Sequence, residues 1–395
     1  MSGIPAYERD PYRTELDAEV LIAGEENGRP FAVLSDTIFF PEGGGQPSDR
    51  GLLAGIPLLD VQRRESVIRH YLEHPVPRGS AALRLDWPRR FDHMQQHTGQ
   101  HLLTAVAADR FGFQTTAFHL GERVSDIELA AGNLAPERLR TLEEAVAAEI
   151  RAAHPVSPRR VSPEEYARLS VRTRGLPEGH EGEIRLVEIE GLDRNTCGGT
   201  HLRSTAEIEL IALLGTEPIR GGTRLFFAAG GRARRRIAEH EERSALLRKI
   251  LGAPDGGLVA AVEEQLGKLK EAERTLRGQE EEEARLRAAE LANGPVRVAS
   301  ATFAGKGGAF LNLLSKNFQP AARDKVALLT ASDASGDCFL LVAGADSRLD
   351  VQAAGREVAA ILGGKGGGSG RVFQGKAGSL GALPAALERL RALAL

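Results

Sequence analysis

Two short segments, nearly a hundred residues apart, constrain this chain more than anything else in it. "QHTGQH" carries His97 and His101, and "CGGTH" carries Cys197 and His201. On a helix, residues i and i+4 stand one above the other, so His97 and His101 present two imidazoles on one side. Leu102, Leu103, Val106 and Ala107 fall opposite them and supply a stripe to bury. The second pair lies between strand-like runs, and its two glycines allow a turn tight enough for thiolate and imidazole to converge. Three imidazoles and one thiolate make a donor set that suits zinc. A lone His-x3-His is more often a hydrogen-bonded or surface pair; the two pairs together favour a metal. The fold must then bring the helix and the distant turn to one point. The helix lacks the glutamate of the zinc-peptidase pattern, and the chain lacks the Cys-x2-Cys of a zinc finger. His93, one turn before His97, is a candidate supporting partner of the site or an RNA contact.

The surroundings read as an α+β multidomain chain. Between residues 12 and 85, short apolar runs such as "AEVLIAG" and "RPFAVLSDTIFF" alternate with turn signals, which predicts a small β-barrel. "PEGGGQPSDRG" is expected to be a loop from Pro41 to Gly51. Trp87-Pro88 opens the histidine helix and Gly112 closes it. "VSDIELA", "EIRLVEIE", "AEIELIALLG" and "TRLFFAAG" read as strands, 136–153 as a helix, and "HPVSPRRVSP" as a proline-rich connection. Helical stretches at 232–251 and 258–292 flank "GAPDGG". Val259, Val262, Leu266, Leu269 and Leu276 recur there at three-four spacing, which predicts a helical hairpin or short coiled coil. A last α/β domain holds the Gly-rich loop "GGKGGGSGRVFQGKAGS". The expected domains are a barrel at 1–86, a zinc-containing domain at 87–231, a helical spacer at 232–292 and a C-terminal domain at 293–395.

Composition narrows the function classes. No apolar run reaches the length of a membrane span, and the N-terminus has no apolar signal core. Two cysteines cannot build a disulfide framework, so a reducing cytoplasm is expected. A net charge of −3 leaves RNA affinity to local basic patches. With 5% aromatics, a base-stacking platform is not the main binding device.

"QHTGQHLL" and "CGGTH" resemble the paired zinc motifs of the alanyl-tRNA synthetase editing domain and its free-standing, AlaX-type relatives. "DTIFFPEGGGQPSDRG" is similar to the Gly-rich signature of the free-standing proteins. "GFQTTAFHLGERVSDIEL" and "RGGTRLFFAAGGRA" extend the likeness, and the C-terminal run resembles the tRNA-binding domain that follows the editing domain in the synthetase. The order of parts matches the long form of AlaX. The resemblance implies trans-editing: hydrolysis of tRNA(Ala) mischarged with serine, and glycine as a further candidate. An alanine pocket cannot strongly reject a ligand that merely adds a hydroxyl, so a second sieve is needed. A barrel starting near Met1 leaves no room for an aminoacylation domain, so a ligase is not expected.

The implied roles are as follows. His97, His101, Cys197 and His201 hold Zn2+, with an open position expected for a zinc-bound water. Gly43, Gly44 and Gly45 let the backbone approach the aminoacyl ester, and Gln46 hydrogen-bonds it. Thr115, Thr116 and His119 fall at the amino-acid pocket. Lys365, Arg371 and Lys376 grip tRNA phosphates. Arg232, Arg234, Arg235 and Arg236 are either an acceptor-stem contact or a solvated helix face. The spacer and last domain suit a homodimer. The competing reading is a non-catalytic tRNA- or RNA-binding protein with a structural zinc. A weaker one, a phosphoesterase, lacks the Asp-His-His motif.

Overall fold

Strands with one apolar face close on themselves at the N-terminus. The computed structural model describes residues 3–64, 67–172 and 182–394. After a short helix α1 (Ala6–Arg9) come β1 (Glu15–Glu26), β2 (Arg29–Leu34), β3 (Gly51–Leu53), β4 (Ile56–Arg64), β5 (Val67–Leu72) and β6 (Gly79–Leu85). They form a closed barrel in the order β1-β2-β5-β4-β3-β6, as the alternating runs predict. In β6, buried Ala81, Leu83 and Leu85 alternate with exposed residues, the period-2 pattern of a half-buried strand. His70 sits in this core with Nε2 2.8 Å from Thr37 Oγ1 and Nδ1 3.2 Å from the Ala32 carbonyl. Burial pushes its imidazole down to about 4.

Helix α2 (Trp87–Phe111) follows at once. Asp86 caps it by accepting from Arg89 N–H, Pro88 occupies its first turn, and Gly112 ends it at φ +70°. Arg90 ties the helix to the barrel. It is fully buried, paired with buried Asp49, and donates to the carbonyls of Pro11 and Ile38 at 2.7 Å each. Breaking such a pair leaves a buried charge uncompensated.

Beyond α2 lie β7 (Thr115–Leu120), β8 (Ser125–Leu129), α3 (Pro136–Arg151), β9 (Val156–Val161), α4 (Pro163–Tyr166), β10 (Ile184–Ile189), β11 (Asp193–Thr196), β12 (Ile211–Ile219) and β13 (Gly222–Ala229). They make a four-stranded sheet, β12-β13-β8-β7, and a three-stranded one, β11-β10-β9. Met94, Leu102, Leu103 and Val106 of α2 share one core with Ile127, Leu225 and Phe227 of the larger sheet and Val146 of α3. Two local expectations need correction. "AEIE" is not strand: Ser204 accepts from Ala206 N–H and winds Thr205–Ile208 into a 3-10 turn, so β12 starts only at Ile211. The proline-rich connection contains β9, where Pro158 is tolerated because β9 lies at the sheet edge.

The chain divides into two compact units, Met1–Leu246 and Leu247–Leu395. Helices α5 (Gly230–Leu251) and α6 (Leu258–Asn293) occupy the expected helical stretches. The apolar stripe of α6, Val259 to Leu276, is 41–73% exposed. The second unit adds β14 (Val298–Ala304), α7 (Gly308–Ala321), β15 (Val326–Asp333), β16 (Gly336–Ala343), α8 (Val351–Ile361), β17 (Lys365–Ser369), β18 (Val372–Lys376) and α9 (Leu383–Leu393). Its sheet runs β14-β15-β16-β18-β17, parallel only between β14 and β15. Ala327, Leu329 and Ala331 face α7 and the last turns of α6, while Val326 and Leu328 face α8 and α9. The expected Gly-rich loop is a β-hairpin, β17–β18, because Val372 to Lys376 pair with β16 and draw the glycines into the ladder. Among the described residues, no helix is long and apolar enough to cross a membrane.

Candidate functional site

Helix α2 and the turn after β11 meet where the four spaced residues converge. The ligand atoms of His97, His101, Cys197 and His201 all lie within 4.8 Å of one another. Cys197 Sγ stands 3.3 Å from His97 Nε2 and 3.2 Å from His201 Nε2. A tetrahedral zinc with bonds of about 2.0 Å to nitrogen and 2.3 Å to sulfur needs edges of roughly 3.3 Å between nitrogens and 3.5 Å from nitrogen to sulfur. The donor set and spacing therefore fit the ion. The three histidines are buried and Cys197 partly so.

Each imidazole is held by its other nitrogen. His97 Nδ1 is 3.0 Å from Gln46 Oε1, His101 Nδ1 3.2 Å from Asp193 Oδ2, and His201 Nδ1 3.2 Å from Thr98 Oγ1. The Gln46 amide oxygen and the Asp193 carboxylate accept, so they keep a proton on the Nδ1 of His97 and of His101 and leave those Nε2 atoms for a metal, while the Thr98 hydroxyl fixes the His201 ring. The second glycine of "CGGTH" is dictated by this crowding. A Cβ on Gly199 would lie 2.3 Å from His97 Cε1 and 2.8 Å from Gln46 Oε1.

Electrostatics suit a cation. Burial opposes the Cys197 thiolate, but the His97 and His201 imidazoles outweigh it and hold the thiol well below its ordinary value. Burial would also lower His101, yet the Asp193 carboxylate and Cys197 push it up to about 10. Burial, then His97, pushes His201 down to about 3. Asp193 is depressed against its own burial by His101 and by Arg172, whose Nε lies 2.9 Å away. A dication entering this cluster displaces protons from it.

Gln46 reaches the cluster from the Gly-rich turn. It is fully buried, its Oε1 also accepts from Thr200 N–H at 3.1 Å, and its Nε2 donates to Thr200 Oγ1 at 2.8 Å. Gln46 thus holds the His97 imidazole, with one Nε2 proton not used in these bonds. Gly43, Gly44 and Gly45 form the turn that delivers it. Gly43 and Gln46 exchange two backbone hydrogen bonds at 3.1 and 3.0 Å, with Gly44 and Gly45 at φ +59° and +82°, the left-handed conformation such a turn requires.

Beside the cluster lies a recess of about 160 Å³ lined by residues that include Gln100, Thr104, Thr115, Phe118, Arg172 and Asn195. Phe118 also faces His97, ring centroids 6.2 Å apart. Residues three apart on a regular strand face opposite ways, but the β7–β8 register shifts between Thr115 and Ala117, and the extra residue puts Thr115 and Phe118 on one side. Thr116 and His119 are thereby turned away from the recess. Thr116 donates to the Glu128 carbonyl, and His119 pairs with Asp126 at 2.9 Å on the exposed side. His119, Asp126 and Glu128 have metal-ligand spacing, yet Arg224 already bridges the two carboxylates at 3.3 and 2.6 Å.

His93 makes no hydrogen bond to any of the four ligands among the described residues. It is buried with Nδ1 unpartnered, and burial followed by the charges of Arg89 and Arg232 pushes it down to about 3. In the second unit, Lys365 and Lys376 are cross-strand partners on the hairpin, while Arg371 donates to the carbonyls of Gly344 and Ser347 at 2.8 and 2.9 Å. Asp193, Thr98, Thr200 and Gln100 were missed by sequence reasoning. Their only signal is position: Thr98 and Gln100 lie inside the histidine motif, and Asp193 four residues before Cys197.

The family described as "Threonyl and Alanyl tRNA synthetase second additional domain" matches residues 184–226. "Alanyl-tRNA editing protein Aarsd1" of Danio rerio is 36% identical over 94% of this chain and 93% of its own. The Mus musculus protein of the same name is 38% identical over 87% and 84%. "Alanyl-tRNA editing protein AlaX-L" of Pyrococcus horikoshii is 34% identical over 53% of each.

Proposed function

Since the chain belongs to the alanyl-tRNA editing protein family, we propose that it hydrolyses the ester of mischarged tRNA(Ala), with serine as the chief aminoacyl group and glycine as a further candidate. The observation that carries this reading is the convergence of His97, His101, Cys197 and His201 with every Nδ1 already held. Zinc bound there would supply Lewis acidity toward an ester carbonyl and toward water. Gln46, Asp193 and Thr98 keep the three imidazoles in one orientation. The recess beside the cluster receives the aminoacyl side chain, with Phe118 as its wall against His97. Water adds to the ester carbon, and the terminal ribose hydroxyl leaves with a proton. The Asp193 carboxylate is bound to His101 and Arg172 and is not a free base.

Residues 1–86 and 87–231 form the catalytic half in this reading, 232–292 a spacer, and 293–395 the tRNA-binding part. Lys365 and Lys376 meet phosphates, and Arg371 ties the hairpin's turn to the Gly344 and Ser347 carbonyls. The exposed stripe of α6 suits pairing with a second copy. Two free cysteines, Cys197 and Cys338, fit a reducing cytoplasm.

Ser-tRNA(Ala) and Ala-tRNA(Ala) incubated with the protein, with and without chelator, test the reading. Serine should be lost at least about a hundredfold faster than alanine, and chelation should stop it. His101→Ala should abolish hydrolysis and leave tRNA affinity nearly intact, since phosphate contacts supply most of it. Full zinc occupancy with tRNA binding and no ester loss would make the protein a binding module.

A further inference from the structure

Gln100 lies on α2 between the two helical metal ligands and is 3% exposed. Its Nε2 donates to Thr104 Oγ1 at 3.0 Å, and Thr104 Oγ1 also accepts from Thr115 Oγ1 at 3.3 Å. That hydroxyl therefore orients the amide nitrogen and turns the amide oxygen away. Gln100 Oε1 is buried with no hydrogen-bond partner among the described residues. An acceptor buried without a donor is costly, and in a native structure it marks strain, a water or a ligand.

All three residues line the same recess, which at about 160 Å³ has room for a small side chain and a few waters of about 30 Å³ each. We propose that Gln100 is the specificity-determining residue of that recess, its Oε1 accepting the hydroxyl proton of a seryl group. This rests on the reading of the site as an aminoacyl-tRNA(Ala) hydrolase. Serine brings one donor to an acceptor that has none; alanine and glycine bring none and leave it unpaired. A site built around such a bond discriminates by the cost of the bond left unmade. Thr115, whose own proton points at Thr104, acts through the chain of hydroxyls and not on the substrate.

The test compares wild type with Gln100→Met, which keeps the length of the side chain and removes the acceptor. The serine-to-glycine ratio of kcat/KM, measured on Ser-tRNA(Ala) and Gly-tRNA(Ala) with the zinc-loaded full chain, should fall at least about tenfold. A ratio unchanged within about twofold, whether both rates fall together or neither falls, overturns the proposal. Thr104→Val, which removes the group that orients the amide, should lower the same ratio and stands in if the methionine variant does not fold. Non-hydrolysable seryl- and alanyl-amide analogues of the terminal adenosine give a second readout. The wild type should bind the seryl analogue more tightly by at least about tenfold, and both variants should narrow that gap. If the wild type hydrolyses neither ester, the hydrolase reading fails, and the analogue titration still decides the role of Gln100.

Discussion

Gly199 shows how closely the candidate centre is built. Alanine there would drive a methyl group into the His97 ring and the Gln46 amide. Gly199→Ala should therefore weaken zinc binding at least about tenfold by competition with a chromogenic chelator. Asp193→Asn removes the charge that anchors His101 and should cost about 10–100-fold in the same assay. The purified protein should carry about one zinc per chain, and Cys197→Ala should lose most of it. Metal-free wild type that still deacylates would refute the zinc argument. The four ligands were legible in the sequence because i,i+4 spacing is local geometry. Their holders were not: Gln46, Thr98 and Asp193 reach the cluster through tertiary contacts that no spacing encodes. Gln46 was singled out for its place in a glycine-rich turn, and the turn delivers it to a ligand.

At the scale of elements, periodicity fixes faces and single residues reset them. The barrel strands and both ends of α2 follow from alternation and capping. The start of β12 does not, because the Ser204 cap overrides an apolar run. The shift at Thr115/Ala117 is the sharper case. Deleting Thr116 should remove the bulge yet leave Thr115 and Phe118 on one face, two apart on a regular strand, whereas Phe118→Ala takes the wall away from His97. In the Phe118→Ala variant serine hydrolysis should fall at least about a hundredfold while tRNA affinity holds, as filter binding beside deacylation would reveal. His70 ties the barrel to pH. Its folded imidazole, at about 4, lies below the ordinary value of 6.5, so the unfolded chain binds the extra proton. Stability from this group is complete above about pH 6.5 and is lost as pH falls toward 4. The full effect is about 3 kcal/mol. Denaturant titrations at pH 7 and pH 5 should show the loss, and the His70 ring should remain neutral by NMR at pH 5.

Across the whole molecule, the sequence places its second boundary just after Gly231, and Arg232 is buried against Asp92 and the Gly121 carbonyl. The compact unit runs on to Leu246. Truncation after Leu246 should leave an active hydrolase with weaker, less salt-sensitive tRNA binding, and an unchanged salt slope would free the second unit of any tRNA role. Leu266→Glu with Leu269→Glu should convert a dimer to monomer in sedimentation if the stripe pairs copies. That stripe was legible as helical spacing; what covers it was not, because exposure is a property of the assembly. The distance between the two halves of the metal cluster also sets a timetable for synthesis. Cys197 follows His97 by a hundred residues, an interval on the order of 5–20 s at about 5–20 residues per second. For that time a nascent chain carries the paired imidazoles of α2 without the thiolate that completes the cage. A chain released by the ribosome before His201 therefore has the histidine helix and the Gly-rich turn but no closed cluster, and such a fragment should leave correctly charged tRNA alone.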